Sequence, residues 1–519
     1  MTDAADCIII NAEIHTLTTP DETHEALAIR DGEIIRIDGN YEIEFLEGVD
    51  TTVIDLDGDI LLPGFIDAHT HMEMVGRYLV YTDLSGATSA EEAVSLLRED
   101  QSNDDHDQKY DNESEWILGY RYDESDWDER RYLTREDLDQ VSETRPIAAF
   151  REDMHTASLN SVAVDRYASE MPADDVRTSE GEPTGVVSED ALSVIYQETN
   201  PDHDEMRALI TAACDRANKL GITGVHDMVR QSNAPRVYRE LDSKGKLDLR
   251  VRINYWSDHL NALCDVGSTT NHGSEFVRVG GIKSFTDGSI GARTAKLSEP
   301  YENGGTGQWV VDPEELHELV QQADEAEFQF IAHAIGDAAI EAVLDAYDAA
   351  ATREHRARIE HAELSTDELI ERFADSDIVA SVQPNFLKWA REGGLYEERL
   401  GRERADETNR YRALLDAGVP LAFGSDCMPL DPLFGIQQAV TAPAEEQRLT
   451  VTEALRAYTN GAAYAGFDEN RLGTIEVGAR ADFVALDQSP WAIDPDQIAD
   501  INVTTTIVDG TVVYRNRGN

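Results

Sequence analysis

Hydrophobic positions change their spacing along this chain. From residue 6 to 60 they alternate with polar ones in short runs, DCIIINAEIHTL, EALAIRDGEIIRID and TTVIDLDGDI, parted by turn signals at Asp31-Gly32 and Asp57-Gly58. Alternation with period two between such turns predicts half-buried β-strands. The same texture returns at 478 to 487 (GARADFVALD) and 503 to 514 (VTTTIVDGTVVY). Matching ends around a different middle predict one small composite β-sandwich, residues 1–60 plus 470–519.

The middle consists of apolar runs followed by helical stretches. LLPGFIDAHTH (61–71) reads as a buried strand, and seven more follow: GITGVHDM (221–228), LRVRINYWSD (249–258), VRVGGIKSFTDGS (277–289), FQFIAHAIGD (328–337), RIEHAEL (358–364), VASVQPNF (379–386) and VPLAFGSD (419–426). Helix-like segments such as PEELHELVQQADEAE and TDELIERFADSD separate most of them. Eight alternating units predict an α/β fold, a TIM (β/α)8 barrel over 61–84 plus 216–469, with its active site at the C-terminal ends of the strands. The first and second strands lie too far apart for one connection. Residues 85–215 therefore read as an inserted subdomain capping the barrel mouth, with a charged stretch at 98–115 expected to be mobile and two strand-like runs, WILGYRYDE and PIAAFRED.

Charge adds a constraint on partners. The chain has 103 acidic against 44 basic residues, a net charge of -59. Such a surface repels nucleic acid and anionic lipid at ordinary salt, which excludes those partner classes and leaves a small-molecule substrate. Periodic apolar segments run throughout and argue against disorder. Lysine is sparse (Lys109, Lys219, Lys244, Lys246, Lys283, Lys296 and Lys388), and the pattern resembles cytoplasmic proteins of extreme halophiles. No apolar run approaches the roughly 18 residues of a membrane span, and MTDAADCIII lacks the basic region of a signal peptide. A cytoplasmic location is therefore expected, and a homodimer would be unsurprising. The cysteines, Cys7, Cys214, Cys264 and Cys427, show neither a disulfide framework nor CxxC spacing.

Candidate chemistry gathers at the strand ends: His69, His71, Lys283, His333, His361 and Asp426. His69 and His71, two apart on a strand, project to one side and can share a metal. Four imidazoles and a carboxylate are more donors than one tetrahedral ion takes, which favours a site for two divalent ions. Zinc is the default, and manganese, iron or cobalt fit the same donors. Lys283 interrupts an apolar strand, where an ammonium tends to lose its proton. It reads either as paired with a carboxylate such as Asp287, or as a neutral amine that has taken up carbon dioxide to form a bridging carbamate. His155, His226, Asp287, Arg293, Trp256 and Gln383 are weaker candidates for binding substrate. For His226 a plain structural role stands beside the functional one, and for Arg293 a pairing with carboxylates.

PGFIDAHTH, the strand lysine followed by TDGSIGARTA, AHAIGD, IEHAEL, GSDCMPLDPL and the terminal GARADFVALD together resemble the amidohydrolase superfamily. More narrowly they are similar to its branch of N-substituted formamide deformylase-like metal-dependent hydrolases, over nearly the whole chain. The resemblance implies His69, His71, His333, His361 and Asp426 as metal ligands and Lys283 as a carboxylated bridge. It departs from the family pattern at Ile290 to Ala292 and after His333, at no ligand. The expected reaction is hydrolysis of a C–N bond in an N-formyl or N-acyl amine by metal-activated hydroxide, with Asp426 as general acid and base. The same centre could act on an ester, lactone or phosphoester, and a non-catalytic metal-bound scaffold is the reading from another class.

The charge carries a direct test. Withdrawing salt from molar concentration to roughly 0.1 M lengthens the screening distance to about 10 Å and restores self-repulsion. The thermal midpoint should fall steeply over that range, and a flat midpoint would contradict the high-salt reading.

Overall fold

The computed structural model describes residues 4–102, 116–152, 154–350 and 355–516. Its contacts divide it into two compact units, Met1–His71 with Cys214–Asn519, and Met72–Ala213.

In the first unit eight parallel strands run in sequence order: β1 (Phe65–Thr70), β2 (Ile222–Val229), β3 (Arg250–Trp256), β4 (Val277–Phe285), β5 (Gln329–Ala334), β6 (Arg358–His361), β7 (Val379–Val382) and β8 (Leu421–Phe423). This is the expected TIM barrel. Every residue of β2 and of β3 is buried, as parallel strands covered on both faces require. Helices follow the strands where the apolar period lengthens. Pro313–Glu325, for example, starts at Asp312, whose carboxylate caps the amides of Glu314 and Glu315, and it buries Leu316, Val320 and Ala323.

The seam between β8 and β1 is closed by a carboxylate. Oδ1 of the fully buried Asp67 accepts from the amides of His69 (3.1 Å) and Ser425 (3.0 Å), while the Asp426 amide donates to the His69 carbonyl at 2.7 Å. Burial raises the Asp67 pKa to about 7, against the amides and Ser425 that favour its charged form.

The run 61–71, read from the sequence as one strand, is two. Ile60–Pro63 pairs with Phe483–Leu486 in a six-stranded sheet outside the barrel, and only from Phe65 does the chain enter β1. Gly64 is the pivot, because a Cβ there would stand 2.3 Å from the Thr223 side chain. That sheet also holds Glu13–His15, Thr23–His24, Val503–Val508 and Thr511–Arg515, so both ends of the chain share it. A four-stranded sheet of Glu33–Asp38, Ala26–Arg30, Cys7–Ile10 and Thr52–Asp55 shares its core, where Ile9, Leu27 and Ile29 meet Leu61, Phe483 and Ile507.

The second unit begins at Met72 rather than at 85. Helix Met72–Val80 and strand Thr82–Asp83, which the sequence reading assigned to the barrel, belong to it. Its six-stranded sheet runs Val176–Ser179, Glu182–Ser188, Thr156–Leu159, Ile147–Arg151, Ile117–Tyr122, Thr82–Asp83. Tyr120 and Phe150 stack in its core with ring centroids 4.7 Å apart. Of the charged stretch 98–115, the first residues end a helix, Ala90–Ser102, and 103–115 lie outside the described residues. Among the described residues no helix is long and apolar enough to cross a membrane.

Arginines tie the N-terminal end of the barrel to the terminal strands. Arg250 of β3 donates to both oxygens of Asp482, at 2.6 and 3.0 Å, with both side chains buried. Arg250 keeps a second carboxylate, Asp509 at 2.9 Å, so Asp482→Ala should cost about 1.5–3 kcal/mol, the loss of hydrogen bonds to a charged group rather than of the whole charge balance. Denaturant unfolding of this variant should show a clearly lower midpoint. An unchanged midpoint would mean the pair contributes nothing net.

Candidate metal centre

The barrel's C-terminal end gathers the side chains that β1, β4, β5, β6 and β8 deliver. His69 and His361 ring centroids lie 5.0 Å apart, His69 and His71 5.7 Å, His333 and His361 4.4 Å. One donor atom each from His69, His361 and Asp426 falls within a 4.8 Å cluster, a geometry that could hold an ion. The backbone is strained to place them. His361 and Ala362 have φ of 73° and 50°, and Asp426 and Cys427 both have φ of 52°, in the left-handed region that non-glycine residues avoid. Each such residue costs on the order of 1–3 kcal/mol, and such strain clusters at functional sites.

Hydrogen bonds fix which ring nitrogens are free. His69 Nδ1 lies 2.6 Å from Glu360 Oε2, and His71 Nδ1 lies 3.2 Å from the Met228 carbonyl. Both partners are acceptors, so each Nδ1 carries the proton and each Nε2 presents a lone pair. Those lone pairs face a carboxylate: Asp426 Oδ1 is 3.7 Å from His69 Nε2 and 3.1 Å from His71 Nε2. Three electron-rich atoms turned toward one another are satisfied by a cation between them. Without an ion His71 can compensate by taking a proton. Burial opposes that charge, but the bond to Asp426 and its charge outweigh burial and raise the His71 pKa.

His333 follows the same pattern. Its Nε2 is bound by the Gly288 carbonyl at 3.0 Å, and Nδ1 is buried with no hydrogen-bond partner among the described residues. Burial lowers its pKa to about 3, aided by the charge of Lys283, so the ring is neutral. His361 Nδ1 and Lys283 Nζ are likewise buried without a hydrogen-bond partner among the described residues. Lys283 is fully buried, 4.8 Å from the Phe285 ring centroid, and burial lowers its pKa to about 8 against the pull of Glu360 and Asp426. No salt bridge pairs it with Asp287 among the described residues. Buried bases with unused lone pairs are a chemically fitting donor set for divalent metal.

The weaker candidates scatter. Trp256 and Phe285 stack at 5.2 Å, and Phe285 stacks on His333 at 4.1 Å, so Trp256 belongs to the aromatic wall of the site. Gln383 is buried at the end of β7 with Oε1 unpartnered among the described residues. Arg293 is half-buried in the loop after β4, with Glu398 at 3.9 Å. Asp287, a candidate for binding substrate, stands beside the site with Oδ1 3.6 Å from His333 Nε2, and it accepts from the amides of Ile335, Gly336 and Lys296 at 2.8–3.0 Å. His226 lies inside the barrel, its Nδ1 taken by Arg358 Nη1 at 2.9 Å, which favours the structural alternative. His155 belongs to the second unit, exposed, with Glu189 at 3.9 Å.

Sequence reading missed Glu360, Arg358 and Asp67. Arg358 and Glu360, two apart in a strand without a polar face, are an inward-facing charged pair, and that was the available signal. Arg358 and His69 outweigh burial and hold the Glu360 carboxyl well below the usual range. Ionised Glu360 fixes the His69 tautomer. Glu360→Gln should therefore lower metal affinity about 10- to 100-fold, measured by chelator competition, and should also lower the unfolding midpoint because it removes the carboxylate matched to buried Arg358. Unchanged affinity would show that His69 does not need this partner.

Comparison with known proteins agrees with this geometry. Residues 52–514 match the model of the Amidohydrolase family. A provisionally named amidohydrolase of Bacillus subtilis (strain 168), YtcJ, is 31% identical over 96% of this chain and 98% of its own. The N-substituted formamide deformylase of Arthrobacter pascens is 26% identical over 100% of both chains. An uncharacterized metal-dependent hydrolase from Pyrococcus furiosus has a similar structure, with TM-score 0.80 and 30% identity over 93% of this chain and 99% of that one. A match running from the terminal sheets through every barrel strand leaves one assignment: the chain belongs to the amidohydrolase family of metal-dependent hydrolases.

Proposed function

We propose that the protein hydrolyses the C–N bond of an N-formyl or N-acyl amine at a site for two divalent ions, zinc by default. The lone pairs of His69 and His71 turned on Asp426 carry this reading, because a divalent cation would satisfy all three atoms together while a proton on His71 satisfies only that ring and Asp426. The end-to-end likeness to a formamide deformylase supports the bond type.

His69, His71, His333, His361 and Asp426 would hold the ions. Lys283 would join them after its neutral amine attacks carbon dioxide, forming an N–C bond and releasing a proton to leave an anionic carbamate oxygen. Divalent metal held there polarises a carbonyl and lowers the pKa of water toward neutrality. Asp426 accepts the proton as water oxygen bonds to the acyl carbon, then delivers it to the nitrogen as the C–N bond breaks, giving a carboxylic acid and an amine. Trp256 and Phe285 offer an apolar wall for the substituent on nitrogen.

Metal analysis should find up to two divalent ions per chain, and chelation should abolish hydrolysis of N-acyl amines. Turnover restricted to esters or lactones would reassign the bond, and full activity in metal-free protein would remove the proposal. Two variants separate the roles. Lys283→Ala should bind metal weakly, with partial rescue by acetate. Asp426→Asn should keep most of its metal while kcat falls about 10²- to 10⁴-fold, with less effect on KM. Near-normal metal content and turnover in Lys283→Ala would make that lysine structural.

A further inference from the structure

Beneath the metal centre, at the N-terminal end of the barrel, lies a cavity whose polar walls the reaction does not use. It measures about 20 Å³, on a scale where one water takes roughly 10–15 Å³. It therefore takes a single small occupant. Its charged lining is Arg250, Arg252, Arg278 and Arg471 against Glu275 and Asp468, an excess of cations in a chain of net charge -59. Asp482 stands outside this lining and satisfies Arg250. Asp468 takes Arg252 Nη2 at 2.8 Å, Arg278 at 3.1 Å and Arg471 at 2.9 Å, so the carboxylates are already committed.

Two donors remain. Arg252 is 3% exposed, and its Nε is buried with no hydrogen-bond partner among the described residues. His226 also lines the cavity, and its Nδ1 faces Arg358 Nη1 at 2.9 Å. A guanidinium can only donate, so Nδ1 holds the lone pair and Nε2 must carry hydrogen. Both nitrogens pack against Gly466, each 2.8 Å from where its Cβ would stand, so they are near neighbours that one acceptor on their cavity side can reach. A side chain at 466 would collide with both donors and displace them.

We infer that this cavity is a site for a small inorganic anion, a halide such as chloride, held by the N–H groups of Arg252 Nε and His226 Nε2. Two donors converging among arginines suit a monatomic anion that accepts from both. The site stands independently of the proposed reaction, though its occupant touches His226, which contacts Arg358 and through it Glu360 and His69.

Crystals of the full chain grown in sodium bromide test it without a variant. An anomalous bromide peak between the two nitrogens is expected. A water-like peak without anomalous signal would overturn the assignment. In solution, the thermal midpoint at constant ionic strength and sodium should rise with the logarithm of chloride as it replaces gluconate. Equal midpoints in the two salts would also overturn it. Gly466→Ala should abolish the chloride-specific part of that rise. If this variant does not fold, Arg252→Lys, which keeps the charge and lacks the Nε donor, should lose the bromide peak. A peak retained in Arg252→Lys would refute the role given to Nε.

Discussion

A single buried guanidinium organises the interior of the barrel. Arg358 is completely shielded from solvent, and its three nitrogens reach Glu360, His226, the Ala68 carbonyl and Ser381 at 2.7–3.1 Å. These contacts join β6 to β1, β2 and β7 across the barrel axis. A buried charge costs several kcal/mol unless every donor finds an acceptor, so the arrangement tolerates little displacement. Glu360 is fixed by this fork and by Ser381, His69 by Glu360, and the lone pair of His69 by that bond.

The chain separates its charges by depth. Acidic residues dominate its composition, yet the interior depends on arginine: Arg358 beneath the metal centre, and Arg250 and Arg252 at the opposite end, each buried and matched to a carboxylate. Salt screens exposed carboxylates and reaches buried pairs far less. Exposed acidic groups and buried arginine pairs therefore respond differently to ionic strength.

Barrel topology was legible because eight apolar runs alternated with helical ones, and parallel strands covered on both faces leave that pattern. The residues gathered at the strand ends were legible for the same reason, since His69, Lys283, His333 and His361 break apolar runs where a core residue would stand. Asp426 stood out through its place after the last strand. What escaped was pairing at long range. His69 and Glu360 are 291 positions apart, and nothing local in RIEHAEL says that its glutamate serves a histidine on β1. His226 looked like a site residue by the same strand-end logic, yet its Nδ1 faces an arginine inside the barrel. The break at Gly64 was hidden because both halves of LLPGFIDAHTH are buried, and burial alone does not tell one sheet from another.

That break bears on how the protein is made. Ile60–Pro63 leads through Gly64 directly into β1, and its antiparallel partner Phe483–Leu486 is synthesised about four hundred residues later. While the ribosome is still working, the strand that feeds the barrel has an open edge and no neighbour on that side. Closing so long a loop costs little more entropy than closing one half its size. The delay is therefore one of synthesis time rather than of free energy. The terminal sheet is completed last, and a nascent chain halted before residue 483 leaves the Ile60–Pro63 edge without its antiparallel partner.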